Sequence, residues 1–150
     1  MIDVAAPQLR FTFTITALVP DIDNFIPLEE RSGERLEFIP ITGGDVTGEI
    51  SGNVVPGGGD WCLTRADDAY QVEARYLITT TDGDVVDVVN VGILRHLKAS
   101  DTGDDMGYFL TTPRFRTTSP RLQWLTRSVF VGRAKSVPGQ TVIDVFEVLQ

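Results

Sequence analysis

The sequence predicts an all-β chain, one antiparallel sheet closed into a barrel of about eight or nine strands joined by short turns. Three observations carry this. Gln8–Val19 alternates, with Leu9, Phe11, Phe13 and Ile15 set against Arg10, Thr12, Thr14 and Thr16, the period of a half-buried strand. Short extended segments recur down the chain, punctuated by turn pairs such as Asp82-Gly83 and Pro138-Gly139, and an Asp-Gly between such segments is a strong hairpin signal. No long amphipathic helix, repeat or low-complexity tract interrupts them. Closure removes exposed edges and leaves a lumen, so a barrel is favoured over a sandwich.

In chain order, Pro20 to Gly33 reads as a polar connection with a turn of helix near Pro27–Arg31. Arg35–Thr42 is extended and ends at Gly43-Gly44. Asp45–Val55 is a strand whose Gly48 and Gly52 mark bends. Val55-Pro56-Gly57-Gly58-Gly59-Asp60-Trp61 then leads into a meander of Asp60–Ala66, Tyr70–Thr81 and Asp84–Arg95, with tight turns at Asp67-Asp68 and Asp82-Gly83. Leu97–Met106 is a polar loop, Gly107–Thr112 a short strand and Thr112–Arg121 a Pro- and Thr-rich passage. Gln123–Gly132 and Thr141–Leu149 close the chain as strands.

With 150 residues and 42% hydrophobic content, residues 1–150 are expected to form a single domain with a substantial core. The net charge of −8 argues against a nucleic-acid partner. That charge is uneven: residues 1–105 hold 19 acidic and 7 basic side chains (net −12), residues 106–150 hold 2 and 6 (net +4). In one domain this places C-terminal strands beside acidic earlier ones. Cys62 is the single cysteine, so no intrachain disulfide forms and a cytoplasmic setting is expected. No secretory signal and no membrane span are recognisable. Apolar residues on the outer face point to self-association as a homo-oligomer.

Turn lengths fix register, and register decides which side chains share a face. With a two-residue Asp82-Gly83 loop, Arg75 faces Asn90. With an equally tight Asp67-Asp68 turn, Asp60 faces Arg75 and Cys62 faces Glu73. Directly opposite β-carbons lie about 5 Å apart, so Asp60, Arg75 and Asn90 would form a line across three strands, with Leu77, Val86 and Val88 alongside. Trp61, Val72, Ala74, Tyr76, Ile78, Val89, Val91 and Ile93 would take the opposite, apolar face. Apolar walls with a few convergent polar groups suit a pocket. Arg75 would orient a carboxylate, enol or carbonyl oxygen, and an unevenly solvated Asp60 would move a proton. The plain alternatives are a structural ion pair for Asp60–Arg75, a backbone-satisfying Asn90 and a core Trp61. The triple glycine reads as a tight entry into a strand, because it lacks the Lys-Ser/Thr of a phosphate-binding loop and no helix follows it.

An ordered set of motifs carries a family resemblance: Ile41-Thr42-Gly43-Gly44, Pro56-Gly57-Gly58-Gly59-Asp60-Trp61, Ala74-Arg75-Tyr76, Asn90-Val91-Gly92, Thr112-Pro113-Arg114-Phe115, Trp124-Leu125 and Phe130-Val131-Gly132. Together they resemble the DUF3237 family, also called UPF0311, over about Arg35 to Val148. The resemblance implies a small calycin-like β-barrel, often self-associating, without an established reaction. It makes Asp60, Trp61, Arg75, Asn90, Arg114 and Trp124 the site candidates and places Tyr108 and Phe109 where the family carries aromatics. Leu110 stands where an arginine is common. Gly92-Ile93-Leu94-Arg95-His96 is one residue longer than the usual spacing, which leaves the placement of Arg95 and His96 open.

His96 is the only histidine, so a multi-histidine metal site is excluded, and Arg75 beside Asp60 and Glu73 disfavours a carboxylate-only one. No Gly-x-Gly-x-x-Gly turn opens a helix, leaving a dinucleotide without a seat. The expected function is a metal- and cofactor-independent enzyme acting on a small, partly apolar, carbonyl- or carboxylate-bearing molecule. Asp60 and Arg75 would be catalytic, and Asn90, Trp61, Tyr108, Arg114, Phe115 and Trp124 would bind substrate. The second hypothesis is a non-catalytic ligand carrier using the same lumen, with Arg75 and Arg114 as anion anchors. An assembly protein with a filled barrel is the third.

Overall fold

The computed structural model describes residues 2–95 and 107–150. Their backbone forms eleven strands: β1 (Gln8–Leu18), β2 (Ile26–Arg31), β3 (Glu34–Ile41), β4 (Gly43–Gly48), β5 (Gly52–Val54), β6 (Gly58–Thr64), β7 (Ala69–Thr80), β8 (Val85–Arg95), β9 (Tyr108–Arg116), β10 (Phe130–Val137) and β11 (Gln140–Leu149). Eight of them, in the order β7-β5-β4-β1-β11-β10-β9-β8, close into an antiparallel barrel through the β7–β8 pairing. The other three, β6, β3 and β2, continue the sheet away from the barrel as a flap.

The flap exists because β7 is long enough to hold two partners on one edge. Its Ile78–Thr80 end pairs with β5, and its Tyr70–Arg75 stretch pairs with β6. The chain crosses from one to the other at Val55-Pro56-Gly57, and the triple glycine makes the crossing possible. Gly57 has φ +111, a left-handed conformation that glycine adopts without strain. A β-carbon on Gly58 would lie 2.5 Å from the Arg75 carbonyl oxygen, and one on Gly59 would lie 2.0 Å from the Phe38 ring. So β6 presses directly on β7, and the Phe38 ring lies over Gly59. The tight strand entry read from the sequence is what the fold contains.

One end of the barrel is filled by aromatics. Phe13 and Phe130 are fully buried and meet the buried Phe115 edge-on, with ring centroids 5.6 and 5.2 Å away. A 3₁₀ turn at Pro120–Thr126 carries Leu122 and Leu125 into the same core. The opposite half of the lumen is less filled.

Several elements differ from the sequence reading. Pro27–Arg31 belongs to edge strand β2, not to a helical turn, and the 3₁₀ turn lies earlier at Ile22–Asn24. All six β2 residues are exposed and they pair only with β3, so no buried face leaves an alternating pattern to read. Asp45–Val55 divides into β4 and β5, with Glu49 to Ser51 turning between them. Strand β9 runs on to Arg116 through Pro113, which lies beyond the last β9 residue paired with β10. Residues Gln123 to Thr126 are in the 3₁₀ turn rather than a strand, their apolar side chains capping the barrel end. The polar loop at Leu97–Met106 and His96 lie outside the described residues.

Register brings the most consequential correction. Arg75 pairs with Val89 and Gly59, whereas Ala74 pairs with Asn90 and Asp60. Both hairpin loops are one residue longer than expected. Thr80 N–H donates to Asp84 O (2.8 Å) and Gly83 N–H to Thr80 O (2.9 Å), which puts Thr81, Asp82 and Gly83 in the loop, with φ +92 at Gly83. At the other turn, Arg65 N–H donates to Ala69 O (3.0 Å) and Asp67 Oδ1 accepts from Ala69 N–H (3.0 Å), again a three-residue loop. Each extra residue slips the register by one. The two slips cancel between β6 and β8, so Asp60 and Asn90 keep a common row and face while the residue between them becomes Ala74.

Candidate functional site

The row Asp60–Ala74–Asn90 faces the lumen. In β7, Val72, Ala74, Tyr76 and Ile78 point inward, the face expected for Arg75. Arg75 is instead exposed on the outer wall, 3.5 Å from Asp87, and does not contact Asp60. Trp61 also points outward and is 42% exposed, its ring edge-on to Phe38 at 5.1 Å between centroids. The apolar face foreseen for Trp61, Val89, Val91 and Ile93 is the outside of the barrel.

A cavity of about 60 Å³ opens in the less filled half of the lumen, lined by Asp60, Tyr76, Asn90 and Thr111 among Ile41, Val72, Ala74, Phe109, Ala134 and Ile143. Tyr76, Asn90 and Thr111 are 4%, 4% and 3% exposed, yet Tyr76 Oη, Asn90 Oδ1 and Thr111 Oγ1 have no hydrogen-bond partner among the described residues. A buried polar atom left unpaired costs about 1–3 kcal/mol, so three of them around one cavity is a concentrated departure from ordinary core construction. Register explains their convergence. Tyr76 lies two residues along β7 from Ala74, the cross-strand neighbour of Asn90, and Thr111 lies two residues along β9 from Pro113, its neighbour on the other side. Such diagonal positions are about 7–8 Å apart, a separation one small molecule spans.

Thr111 occupies a notch. Its partners in the adjoining strands are Gly92 and Gly132. A β-carbon on Gly132 would sit 2.3 Å from Thr111 Oγ1, and one on Gly92 would sit 2.6 Å from its methyl. The two glycines therefore keep the wall clear around a hydroxyl.

Asp60 stands where the flap leaves the barrel. The β6–β7 ladder is interrupted between Asp60↔Ala74 and Leu63↔Gln71, and Asp60 Oδ1 accepts the Glu73 N–H there at 2.8 Å. Burial raises the Asp60 carboxyl to a pKa of about 6, against the lowering effect of that N–H. Burial also raises the Tyr76 phenol, with Asp60 adding to it. Cys62, on the same strand face as Asp60, is pushed up to about 12 by burial and then by Asp60 and Glu37, so its thiol stays protonated and a poor nucleophile at neutral pH.

The remaining sequence candidates are dispersed. Arg114 is exposed on the outer face of β9, and Tyr108 lines an outer groove, with the Arg95 guanidinium 4.3 Å from its ring centroid. Phe115 belongs to the aromatic core. Trp124 packs against Phe130 with centroids 6.0 Å apart, and the Arg10 guanidinium lies 5.9 Å from its ring. Of the eight, Asp60 and Asn90 alone line the lumen cavity. Tyr76 and Thr111 were missed. The correct hairpin register identifies Tyr76, but Thr111 becomes visible only once its glycine neighbours on two other strands are known.

The outer groove, of about 1280 Å³, runs across the barrel wall. Leu9, Val91 and Leu110 lie along it at 58%, 38% and 41% exposure.

The family model for a protein of unknown function, DUF3237, matches residues 7–148. UPF0311 protein RPA1785 of Rhodopseudomonas palustris is 42% identical over 95% of this chain and 97% of its own. The crystal structure of that conserved protein of unknown function superposes with a TM-score of 0.89 at 38% identity, covering 97% of this chain and all of the other (100%). A β-barrel-like protein of Acinetobacter baumannii aligns at TM-score 0.84 and 23% identity over 99% of both chains. A structure described as an enzyme from Penicillium herquei aligns at TM-score 0.77 and 19% identity, covering 99% of this chain and 98% of that one. At that identity the Penicillium and Acinetobacter structures speak for the barrel alone. The match over residues 7–148, with relatives alike along nearly their whole length, settles the family: this chain belongs to DUF3237 (UPF0311).

Proposed function

We propose that the lumen cavity is a small-molecule acid–base site in which Asp60 exchanges a proton with a partly apolar substrate bearing a carbonyl or carboxyl group. The observation behind it is the convergence of one desolvated carboxyl and three unpaired polar atoms on one cavity. A carboxyl with a pKa near 6 holds both protonation states in useful amounts near neutrality, as general acid–base work requires. The Tyr76 and Thr111 hydroxyls donate to oxygen as charge develops on it, and Asn90 fixes the substrate's orientation. They take the stabilising role that the sequence alone suggests for Arg75. Isomerisation, cyclisation, hydration and hydrolysis all draw on this set without a metal or cofactor. A carrier using the same cavity is the alternative.

The test is a fragment screen by amide NMR on the wild type, with hits expected to shift the Ala74 and Asn90 resonances. Tyr76→Phe is expected to weaken those hits about tenfold while the unfolding midpoint does not fall, since an unpaired hydroxyl contributes little to the fold. Weakened binding together with a lowered midpoint would assign the phenol to structure instead.

For assembly, we propose that copies of this chain meet through the outer groove, where apolar side chains are exposed together in a patch of the sort monomers avoid. Leu110→Glu with Val91→Glu is expected to turn an oligomer into a folded monomer in light scattering at about 50 μM. A wild type already monomeric at that concentration rules this out.

A further inference from the structure

We infer that the lumen cavity selects an uncharged ligand with at least one hydroxyl group and one carbonyl-type oxygen close together, and rejects the corresponding anion. This rests on the reading of the cavity as a ligand site and narrows its substrate class. The lining supplies Asp60, the Tyr76, Thr111 and Thr141 hydroxyls and the Asn90 amide. None of the described lining residues is cationic, and the two arginines expected to hold an anion, Arg75 and Arg114, lie on the outer wall. A carboxylate entering there gains no counter-charge and meets Asp60, a like charge once ionised. Desolvating an ion without a partner is the least favourable way to fill a buried site. A cation finds one counter-charge in Asp60, which is ionised above pH about 6, but an ammonium group accepts no hydrogen bond, so the Tyr76 and Thr111 hydroxyls stay without an acceptor.

A neutral hydroxy-carbonyl molecule satisfies each group in turn. Its hydroxyl hydrogen goes to Asn90 Oδ1 or to Asp60, and its carbonyl oxygen accepts from the Tyr76 or Thr111 hydroxyl. Both Asp60 protonation states serve: the acid donates to the carbonyl and the carboxylate accepts from the hydroxyl. About 60 Å³ holds roughly four to six water-sized groups, so the recognised portion is small and further bulk on a larger ligand lies outside the cavity.

Three small hydroxy probes test this, titrated at pH 7.5 with amide NMR on the full chain: lactamide (neutral), lactate (an anion of the same shape) and 1-amino-2-propanol (a cation in which an aminomethyl group replaces the carboxamide). Lactamide is expected to bind at least tenfold more tightly than either ion, shifting Ala74, Asn90 and Thr111. Thr111→Val, close to isosteric, is expected to weaken lactamide at least threefold while the unfolding midpoint does not fall. Tighter binding of lactate or of the amine at the same resonances overturns the neutral class while leaving the cavity as the site. Binding of none of the three up to 100 mM, or shifts confined to other residues, overturns the site reading and this inference with it.

Discussion

Asp60→Asn is expected to abolish turnover, by at least about 100-fold, while ligand affinity stays within a few-fold and the protein becomes more stable at neutral pH. Asparagine retains an oxygen for the Glu73 N–H and an amide of the same shape, so the local β6–β7 geometry has no reason to change. What it removes is a charge held in a desolvated place. The sign follows from proton linkage. In the unfolded chain the carboxyl titrates near its ordinary 3.8, and in the fold near 6. Below pH 4 both states are protonated and no penalty exists. Between about 4 and 6 the unfolded chain releases its proton first, so stability falls as pH rises. Above 6 the fold carries the full cost, on the order of 2–3 kcal/mol for a shift of this size. Asp60→Asn should therefore lack this downward contribution between pH 4 and 6 and exceed the wild type at pH 7.5 in urea unfolding. Equal slopes in the two proteins would show that the carboxyl is not desolvated. A carrier would show the stability gain without any turnover to lose, which separates the two functional readings with one variant.

Phe115→Ala is expected to cost about 3–5 kcal/mol of stability and to leave the affinity of any cavity ligand within about twofold. Phe115 is 4% exposed and lies between Phe13 and Phe130, at the filled end of the barrel. Truncating it opens a void among rings that interlock edge-on, and a strand held against β8 at Val88↔Phe115 has little freedom to collapse into it. For a chain of 150 residues a loss of that size lowers the thermal midpoint by roughly 6–20 °C. Differential scanning calorimetry beside ligand titration at 15 °C reads both quantities. A large loss of affinity with little change in the midpoint would return Phe115 to the binding wall.

Much of the barrel was legible in the chain. The alternation of β1, the turn pairs and the glycine-rich entry into β6 are local signals, and each acts through its immediate neighbours in sequence. Pro27–Arg31 and Gln123–Thr126 were misread for the complementary reason. An edge strand exposed on both faces has no period to display, and a short 3₁₀ plug takes its meaning from the barrel end it closes. The site was half visible. Asp60 and Asn90 share a row under either register, because two one-residue errors offset each other, whereas Arg75 depended on a single hairpin and was placed on the wrong face.

The sequence by itself determined an all-β barrel, its family and the carboxyl at the end of the triple glycine. These rest on side-chain period, turn chemistry and steric demands that a few adjacent residues impose. The tertiary structure alone decided which groups meet: it turned Arg75 outward, brought Tyr76 and Thr111 to Asp60, and set a small cavity with a few polar groups beside a broad outer groove. A β-strand presents opposite faces at successive residues, so one additional residue in a turn exchanges the inside for the outside. Only the closed hydrogen-bond ladder fixes that count.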